Sequence, residues 1–157
     1  MDWHLWASEQ RRALIVALAL AFAWTFFAKA APIDVGDVRV IDADTIRLDK
    51  KGPDVRLLGF DAPETRRSAC EGERQLGGKA RERLRELVRG SKLDFELVAC
   101  SCPAGTEGTP KCNYGRRCGT LKADGRDVGE ILIAEGLAIP SQCRASPCPE
   151  TPRPWCK

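Results

Sequence analysis

Hydrophobic and polar positions alternate with a period of two from about residue 35 to residue 60. Val38 and Val40 share one phase before the stretch "DADT", and Ile46 and Leu48 continue the alternation after it. The stretch "KKGPD" then supplies a second turn before "VRLLGF". Alternation broken by short polar turns is typical of half-buried strands in hairpins. The pattern therefore predicts three consecutive strands that form a meander.

The period changes to that of a helix from residue 70 to about residue 89. One face of this segment is apolar and consists of Leu76, Ala80, Leu84, Leu87 and Val88. The other positions are mostly Glu, Arg and Lys, as on a helix that packs one face against a core. Gly77 and Gly78 are expected to weaken its first half, and Gly90 is placed to end it.

Two further strands and a second helix follow. The stretch "KLDFELVAC" predicts a fourth strand and "RCGTLKA" a fifth, joined by a loop rich in Gly, Pro and Cys. Asp127, with Glu130 three residues later, predicts the start of a helix over "VGEILIAEGLA", which Gly136 closes. Five short strands with helices after the third and fifth are typical of a small OB-type barrel. We therefore expect an α+β fold, with a closed or partly closed five-stranded barrel and two helices.

The first thirty residues differ in composition and are typical of an export signal. Arg11 and Arg12 precede a wholly apolar run over residues 13–28, and "AKA" offers a small-x-small cleavage site. The run is longer than the apolar core of most signal peptides and shorter than the ~20 residues that a membrane span prefers. We favour cleavage after Ala30, and an uncleaved membrane anchor is the alternative. Either way, the two arginines keep the N-terminus inside the cell.

Three parts of the chain are therefore expected. Residues 1–30 form a signal peptide or signal anchor, residues 31–140 the barrel domain, and residues 141–157 an irregular tail rich in Cys and Pro. The barrel and tail are expected outside the cytoplasm. They would be periplasmic or extracellular, or held at the outer face of the cytoplasmic membrane by residues 13–28.

Composition excludes several kinds of catalytic site. The single His is His4, inside the export-like segment, so the later part of the chain has no Ser-His-Asp triad, Cys-His pair or His base. The chain has a net charge of +3, and the first thirty residues contribute three positive and two negative groups, which leaves +2 for residues 31–157. So small an excess means that any binding of phosphate must rely on locally placed Arg.

All eight cysteines follow residue 30, which indicates disulfides in an exported domain. The candidates are Cys70, Cys100, Cys102, Cys112, Cys118, Cys143, Cys148 and Cys156. We expect complete pairing: Cys100 with Cys118 and Cys102 with Cys112 would staple the loop between the fourth and fifth strands. Cys70 would pair with Cys143, Cys148 or Cys156. A zinc module built from the four loop cysteines is disfavoured, because its C-x-C start does not match the usual ligand spacing and an exported chain would oxidise it.

Acidic and basic side chains recur around the first turns. Asp42 and Asp44 share the phase of the apolar strand residues, so their carboxylates are expected to face the barrel mouth; ordinary turn acids are the alternative. Arg56 lies on the neighbouring strand, with Asp61 at its end and Glu64 just beyond. Together these residues predict a metal site with oxygen ligands beside a phosphate clamp.

One aromatic residue lies in a polar loop near a further arginine. Tyr114, in "NYGRR", precedes Arg116 and is one of four aromatic residues after residue 30. A local packing residue and a platform for a stacked base are equally compatible with this position.

In their order along residues 35–139, these stretches resemble the staphylococcal nuclease, or thermonuclease, family. The resemblance is carried by "VIDADTIRL", "VRLLGFDAPET", and "YGR" followed by "ADGRDVGEILIAEGLA". It implies an OB-fold phosphodiesterase that uses one Ca²⁺ ion to hydrolyse DNA and RNA, leaving 3′-phosphate ends. It implies no organic cofactor, and we expect a monomer.

The resemblance also implies a role for each matching residue. The calcium ligands would be Asp44, Asp61 and the backbone carbonyl of Ala62. Asp42 and Thr45 would support these ligands without contacting the ion. Glu64 would position or deprotonate the attacking water. Arg56 and Arg116 would hold the phosphate and offset the charge of the transition state, and Tyr114 would contact the nucleotide.

Departures from the family pattern concern the surroundings of these residues. Ala43 replaces the usual Gly between the two acids and is expected to strain the turn, and the cysteine-rich loop is expected to reshape the nucleotide site. A catalytically silent OB module that binds single strands or a protein partner is the alternative function. It is disfavoured because the chain keeps the whole set of acids and arginines and has few aromatic residues for stacking.

Overall fold

The computed structural model describes residues 31–141 and 153–156. The strands of this part are β1 (Ala31–Ile33), β2 (Val38–Asp42), β3 (Thr45–Leu48), β4 (Asp54–Leu57), β5 (Phe60–Asp61), β6 (Leu93–Val98), β7 (Arg117–Ala123), β8 (Arg126–Asp127) and β9 (Ile139–Pro140). The helices are α1 (Glu71–Gly90) and α2 (Val128–Ala134). Neither described helix is long and apolar enough to cross a membrane. The expectations for residues 1–30, Cys143 and Cys148 lie outside the described residues.

The predicted meander is present as β2, β3 and β4, paired antiparallel in sequence order. β7 then lies parallel to β4, and β6 and β1 continue the sheet, giving the order β1-β6-β7-β4-β3-β2 with β8 attached to β7. β5 and β9 form a separate antiparallel pair. The α+β class is thus confirmed, with α1 between the meander and β6 and α2 after β8.

The main sheet is strongly curled. β1 and β2 lie at opposite ends of its strand order, and in a flat sheet they would be about 24 Å apart. Only residues 34–37 separate them, and an extended chain from Ile33 to Val38 spans at most about 18 Å. The expected five-stranded barrel is nevertheless matched only in part. The main sheet has seven strands, and among the described residues no backbone ladder joins β1 to β2.

The two helices begin where the sequence predicts, and Gly136 closes α2. The Asp127 side chain accepts hydrogen bonds from the backbone N–H groups of Gly129 and Glu130, which caps the start of α2. The helix ends at Ala134, and Gly136 closes it as the sequence predicts. Gly136 adopts a φ of 72°, and Leu137 donates its N–H back to the Leu132 carbonyl at 2.8 Å, a bonding pattern that ends a helix.

The hydrophobic core lies between the curled sheet and α1. Its most buried large side chains are Ile46, Leu57, Phe60, Leu84, Leu93, Leu121 and Leu132. Burial of each such side chain stabilises the fold by about 1.5–3 kcal/mol. These residues come from β3, β4, β5, β6, β7 and both helices, so the core fixes the sheet edge that carries the acidic turn.

Three disulfides tie the loops to this core. Cys100 bonds to Cys118 and Cys102 to Cys112 in the long connection between β6 and β7. Cys70, the N-cap residue of α1, bonds to Cys156 across a sequence separation of 86. The structure thus forms both loop pairs expected from the sequence and gives Cys70 one of its three candidate partners, Cys156. The loop cysteines are consumed in disulfides, so they offer no thiolates for the alternative zinc module.

Gly77 and Gly78 have opposite surroundings in α1. A Cβ at Gly77 would meet the Pro63 carbonyl oxygen at 2.5 Å and that of Glu64 at 3.1 Å, whereas a Cβ at Gly78 meets nothing within 4 Å. Gly77 therefore lets the loop after β5 lie directly on the helix.

We expect Gly78→Ala to raise the free energy of unfolding by about 0.5–1 kcal/mol, because it removes the helix penalty of Gly. Gly77→Ala should lower it by about 1–3 kcal/mol, because the loop backbone must shift. Denaturant unfolding of the two variants measures both changes. Equal stabilisation by both would contradict the close packing at Gly77.

Candidate active site

Arg56 is the centre of the site. It lies on β4, where it pairs with Thr45 of β3 on one side and Cys118 of β7 on the other. Its Nη1 forms an ion pair with Asp44, and its Nη2 donates to Asp61 Oδ1 at 2.6 Å. Burial lowers the pKa of Arg56, and the nearby Asp61 acts in the opposite direction. The guanidinium thus joins the turn before β3 to the end of β5.

Asp44 and Asp61 are both buried, with 8% of each residue exposed. Buried carboxylates are costly unless a cation or hydrogen-bond donors compensate them. Arg56 compensates both, and the Thr45 hydroxyl donates to Asp44 Oδ1 at 2.8 Å. The structure therefore brings together the two acids expected to bind a metal. Ala62, the third expected ligand residue, follows Asp61 and lines the same cleft.

Asp42 has a different position from Asp44. It is half-buried, and its Oδ1 accepts the backbone N–H of Ala43 at 2.9 Å, as an ordinary turn acid would. Its Oδ2 accepts the Thr65 hydroxyl at 2.9 Å, which ties the β2–β3 turn to the loop that carries Glu64. Ala43 is not among the described non-glycine residues with positive φ, so the expected strain from replacing Gly is not observed.

Arg116 joins the site through Thr45. Its Nη1 donates to Thr45 Oγ1 at 3.1 Å, while its Nε and Nη2 donate to the backbone and side-chain oxygens of Asn113 at 3.1 and 2.8 Å. Burial lowers the pKa of Arg116, and Glu64 opposes that change. A hydrogen-bonded chain therefore runs from Arg116 through Thr45 and Asp44 to Arg56.

Tyr114 lies beside Arg116, whose guanidinium carbon is 5.8 Å from the centre of the Tyr114 ring. Tyr114 is 79% exposed and adopts a φ of 60°. So exposed a ring packs little against the protein, which argues against the packing alternative and leaves the ring accessible to a ligand.

Glu64 is half-buried and lies in the loop after β5. Its backbone N–H donates to Glu73 Oε1 at 3.3 Å, and the Ala69 N–H donates to Glu73 Oε2 at 2.6 Å. Glu73 comes from the first turn of α1 and is 0% exposed. One buried carboxylate thus holds the loop that carries Glu64 at two points.

Glu73 was not among the residues expected at the site, although the sequence contains a signal for it. Glu73 lies four residues before Gly77 and seven before Ala80, on the buried face of α1. An acid on an apolar helix face needs a partner or a function.

A cleft of ≈ 440 Å³ lies beside Arg56 and its two acidic partners. Its lining residues are Asp44, Arg56, Asp61, Ala62, Glu64, Glu73, Arg153 and Trp155. Arg153 and Trp155 come from the tail and were not expected from the sequence. Asp42 and Glu64 do not join Asp44 and Asp61 in a group of carboxylate oxygens within 4.8 Å of one another, and Arg116 and Tyr114 are not among the lining residues.

The donor atoms fit a hard cation. The Asp44 and Asp61 carboxylates and the Ala62 carbonyl are oxygen donors, which Ca²⁺ and Mg²⁺ prefer. Among the described residues, the lining contains no His or Cys, the ligands that zinc prefers. Arg56 supplies positive charge to both carboxylates, so a bound cation would share or replace its contacts.

Comparison with known proteins agrees with the motifs. Residues 54–152 match the model of a family described as staphylococcal nuclease homologue. Similar proteins include the SPbeta prophage-derived endonuclease YokF of Bacillus subtilis (strain 168), 35% identical over 109 residues, which make up 68% of this chain and 33% of YokF. Endonuclease YncB of the same organism is 36% identical over 103 residues, 64% of this chain and 44% of YncB.

A third similar protein is named for succinoglycan biosynthesis and not as an endonuclease. The succinoglycan biosynthesis protein ExoI of Rhizobium meliloti (strain 1021) is 36% identical over 126 residues, 80% of this chain and 61% of ExoI. The matched segments thus span 33% to 61% of these relatives. Because the family model covers more than half of the chain, the chain belongs to the staphylococcal nuclease homologue family.

Proposed function

We propose that the chain is a calcium-dependent, largely sequence-nonspecific nuclease that hydrolyses phosphodiester bonds of DNA and RNA to 3′-phosphate ends. The observation that carries this proposal is the contact of Arg56 with both Asp44 and Asp61 in the cleft that Glu64 also lines. Two of the similar proteins are named endonucleases. The curled sheet is compatible with an OB-type architecture, which supports the site without determining its chemistry.

Asp44, Asp61 and the Ala62 carbonyl would hold the calcium ion. When bound, the ion would polarise a phosphoryl oxygen and neutralise its negative charge. Asp42 would support this ligand set indirectly, because it fixes the turn before Asp44 and bonds to Thr65 in the neighbouring loop.

Glu64 is the proposed base. The described residues contain no His, and a carboxylate can take a proton from water that it also orients. Attack of that water on phosphorus breaks the P–O5′ bond and leaves the phosphate on the 3′ oxygen. Glu73 and Gly77 would support this step by holding the loop of Glu64 against α1.

Arg56 and Arg116 are the proposed phosphate ligands. Each guanidinium is a planar fork that suits phosphate oxygens, and donors fixed before the reaction stabilise charge that develops in the transition state. Asp61 and the Phe60 carbonyl hold Arg56, while Asn113 holds Arg116. Tyr114 would contact the nucleotide beside Arg116.

A silent OB module that binds single strands or a protein partner remains the alternative function. It would need neither the buried acid pair nor Glu64, and both are present in the cleft. We also propose that residues 31–157 act as a monomer outside the cytoplasm, either released or tethered by residues 13–28. The disulfides support this location, and free thiols in the chain isolated from its host would count against it.

Incubation of the full chain with DNA and with RNA tests the proposed function. We expect cleavage in calcium, with half-maximal activity near ~0.1–1 mM, because only two carboxylates supply charge to the ion. A chelator should abolish cleavage, and added calcium should restore it. Magnesium should support less activity, since it demands stricter octahedral geometry.

Full activity in chelator would overturn the calcium assignment. Binding of the nucleic acid without cleavage in calcium would favour the silent module. Treatment of the products with a 3′-phosphatase tests which P–O bond is broken. Release of phosphate is expected if the P–O5′ bond is cleaved.

A further inference from the structure

Residues 153–156, here called the tail segment, are attached to the start of α1. The Cys156–Cys70 disulfide links the segment covalently to the N-cap of the helix. The Arg153 Nη1 and Nη2 atoms donate to the Arg67 carbonyl at 3.3 Å, and Nη1 lies 3.5 Å from Glu73 Oε2. These contacts fix the segment at both of its ends.

Gly72 makes room for the backbone of the tail segment. A Cβ at Gly72 would lie 3.1 Å from the Trp155 carbonyl oxygen, closer than a side chain normally allows. The tail segment therefore lies directly against the first turn of α1, the same turn that supplies Glu73.

This attachment brings two tail residues into the candidate active site. Arg153 and Trp155 line the same cleft as Asp44, Arg56 and Glu64. Trp155 is half-buried, and 41% of the Arg153 side chain is exposed. Among the described residues that line the cleft, Trp155 is the one large apolar residue, and all the others except Ala62 are charged.

We propose that the tail segment forms a nucleotide subsite beside the scissile phosphate. Trp155 stacks on a base, and Arg153 attracts an adjoining phosphate. The inference rests on the proposed nuclease function. Stacking on an aromatic side chain strengthens binding by about five- to hundredfold per base and tolerates any sequence, because every base has a flat face.

The surroundings distinguish a subsite from a structural plug. A residue that only filled the core would be fully buried, whereas Trp155 is half-buried and lines the cleft that contains the proposed catalytic groups. Arg153 contributes positive charge beside Glu73, in a cleft that Glu64 also lines and where the negative charge of a nucleic acid would otherwise be repelled.

Tryptophan fluorescence tests binding at the subsite directly. The sequence has four Trp, so changing Trp3, Trp6 and Trp24 to Phe in the full chain leaves Trp155 alone. With Glu64→Gln added to stop turnover, titration with a single-stranded oligonucleotide should change the fluorescence of Trp155 saturably. Inorganic phosphate should leave it unchanged. Binding detected by anisotropy of a labelled oligonucleotide, with no change in Trp155 fluorescence, would overturn the proposal.

Kinetics separate stacking from packing. Trp155→Leu keeps apolar bulk but removes the aromatic plane, and we expect it to raise KM for an oligonucleotide about tenfold with little change in kcat. Trp155→Phe should stay within about threefold of the unaltered protein, because it retains a ring. On an abasic oligonucleotide of the same length, the KM of the unaltered protein should equal that of Trp155→Leu, because there is no base to stack on the ring.

Equal KM for Trp155→Leu and the unaltered protein would overturn the subsite. A rise in KM of the same size on normal and abasic substrates would also overturn it, because it would indicate a structural role for Trp155. Should Trp155→Leu fail to fold, the fluorescence titration decides. A different result would contradict the proposed nuclease function: the unaltered protein would cleave neither DNA nor RNA in calcium. Failure of the subsite alone leaves that activity intact.

Discussion

Changing Arg56 to Ala is expected to lower kcat at saturating calcium by about a hundred- to a thousandfold, which corresponds to about 3–4 kcal/mol. Arg56 is held in place by Asp61 and the Phe60 carbonyl, so its N–H groups need little rearrangement to meet developing charge on a phosphate. Arg116→Ala should have an effect of similar size, because Asn113 and Thr45 hold that guanidinium in the same way. Single-turnover cleavage of one DNA substrate measures both.

Controls for Arg56 separate its proposed role from its ion pairs. Arg56→Lys keeps the positive charge but loses the planar fork, so most of the rate loss should remain. Arg56→Ala leaves Asp44 and Asp61 without their partner and should unfold more easily in chelator than in calcium. Turnover close to that of the unaltered protein in a folded Arg56→Ala variant would contradict the phosphate clamp.

Glu64→Gln is expected to lower kcat by about a thousandfold or more while leaving the fold intact. Gln has the same shape but cannot accept a proton from water. The contact that anchors this residue to Glu73 uses its backbone N–H and should survive the substitution. Cleavage rates and thermal unfolding of the same preparation check the two parts of this expectation.

Glu130→Gln is a matched control. Glu130 is an exposed acid in the first turn of α2 and does not line the cleft, so its removal should leave kcat unchanged. A Glu64→Gln variant as active as Glu130→Gln would show that another group activates the water.

The central part of the site could be predicted because its residues are close in sequence. Arg56 lies on the last strand of the meander, Asp44 lies in the turn before β3, and Asp61 follows Arg56 by only five residues on β5. The direct contacts of Arg56 with both acids could not be read from the sequence pattern. They depend on how sharply the sheet curls and on the placement of β5.

Other parts of the structure had too little local signal. β1, β5, β8 and β9 contain two or three residues each, too few for a period to be recognised. The contact of the tail segment with α1 depends on one disulfide among many possible connectivities. Glu73 was the exception, because its position on the apolar face of α1 was visible in the sequence.

The ion pairs of Arg56 have a consequence for the order of binding. A phosphate that shares the guanidinium weakens its contacts with one oxygen each of Asp44 and Asp61, and a cation that takes those oxygens leaves the guanidinium N–H groups free for phosphate. The two ligands are then heterotropically coupled, and thermodynamic reciprocity requires each to raise the affinity for the other by the same factor. For the proposed calcium site, the affinity measured on the free protein is therefore expected to understate the affinity during turnover, and the ion is expected to exchange readily whenever no nucleic acid is bound.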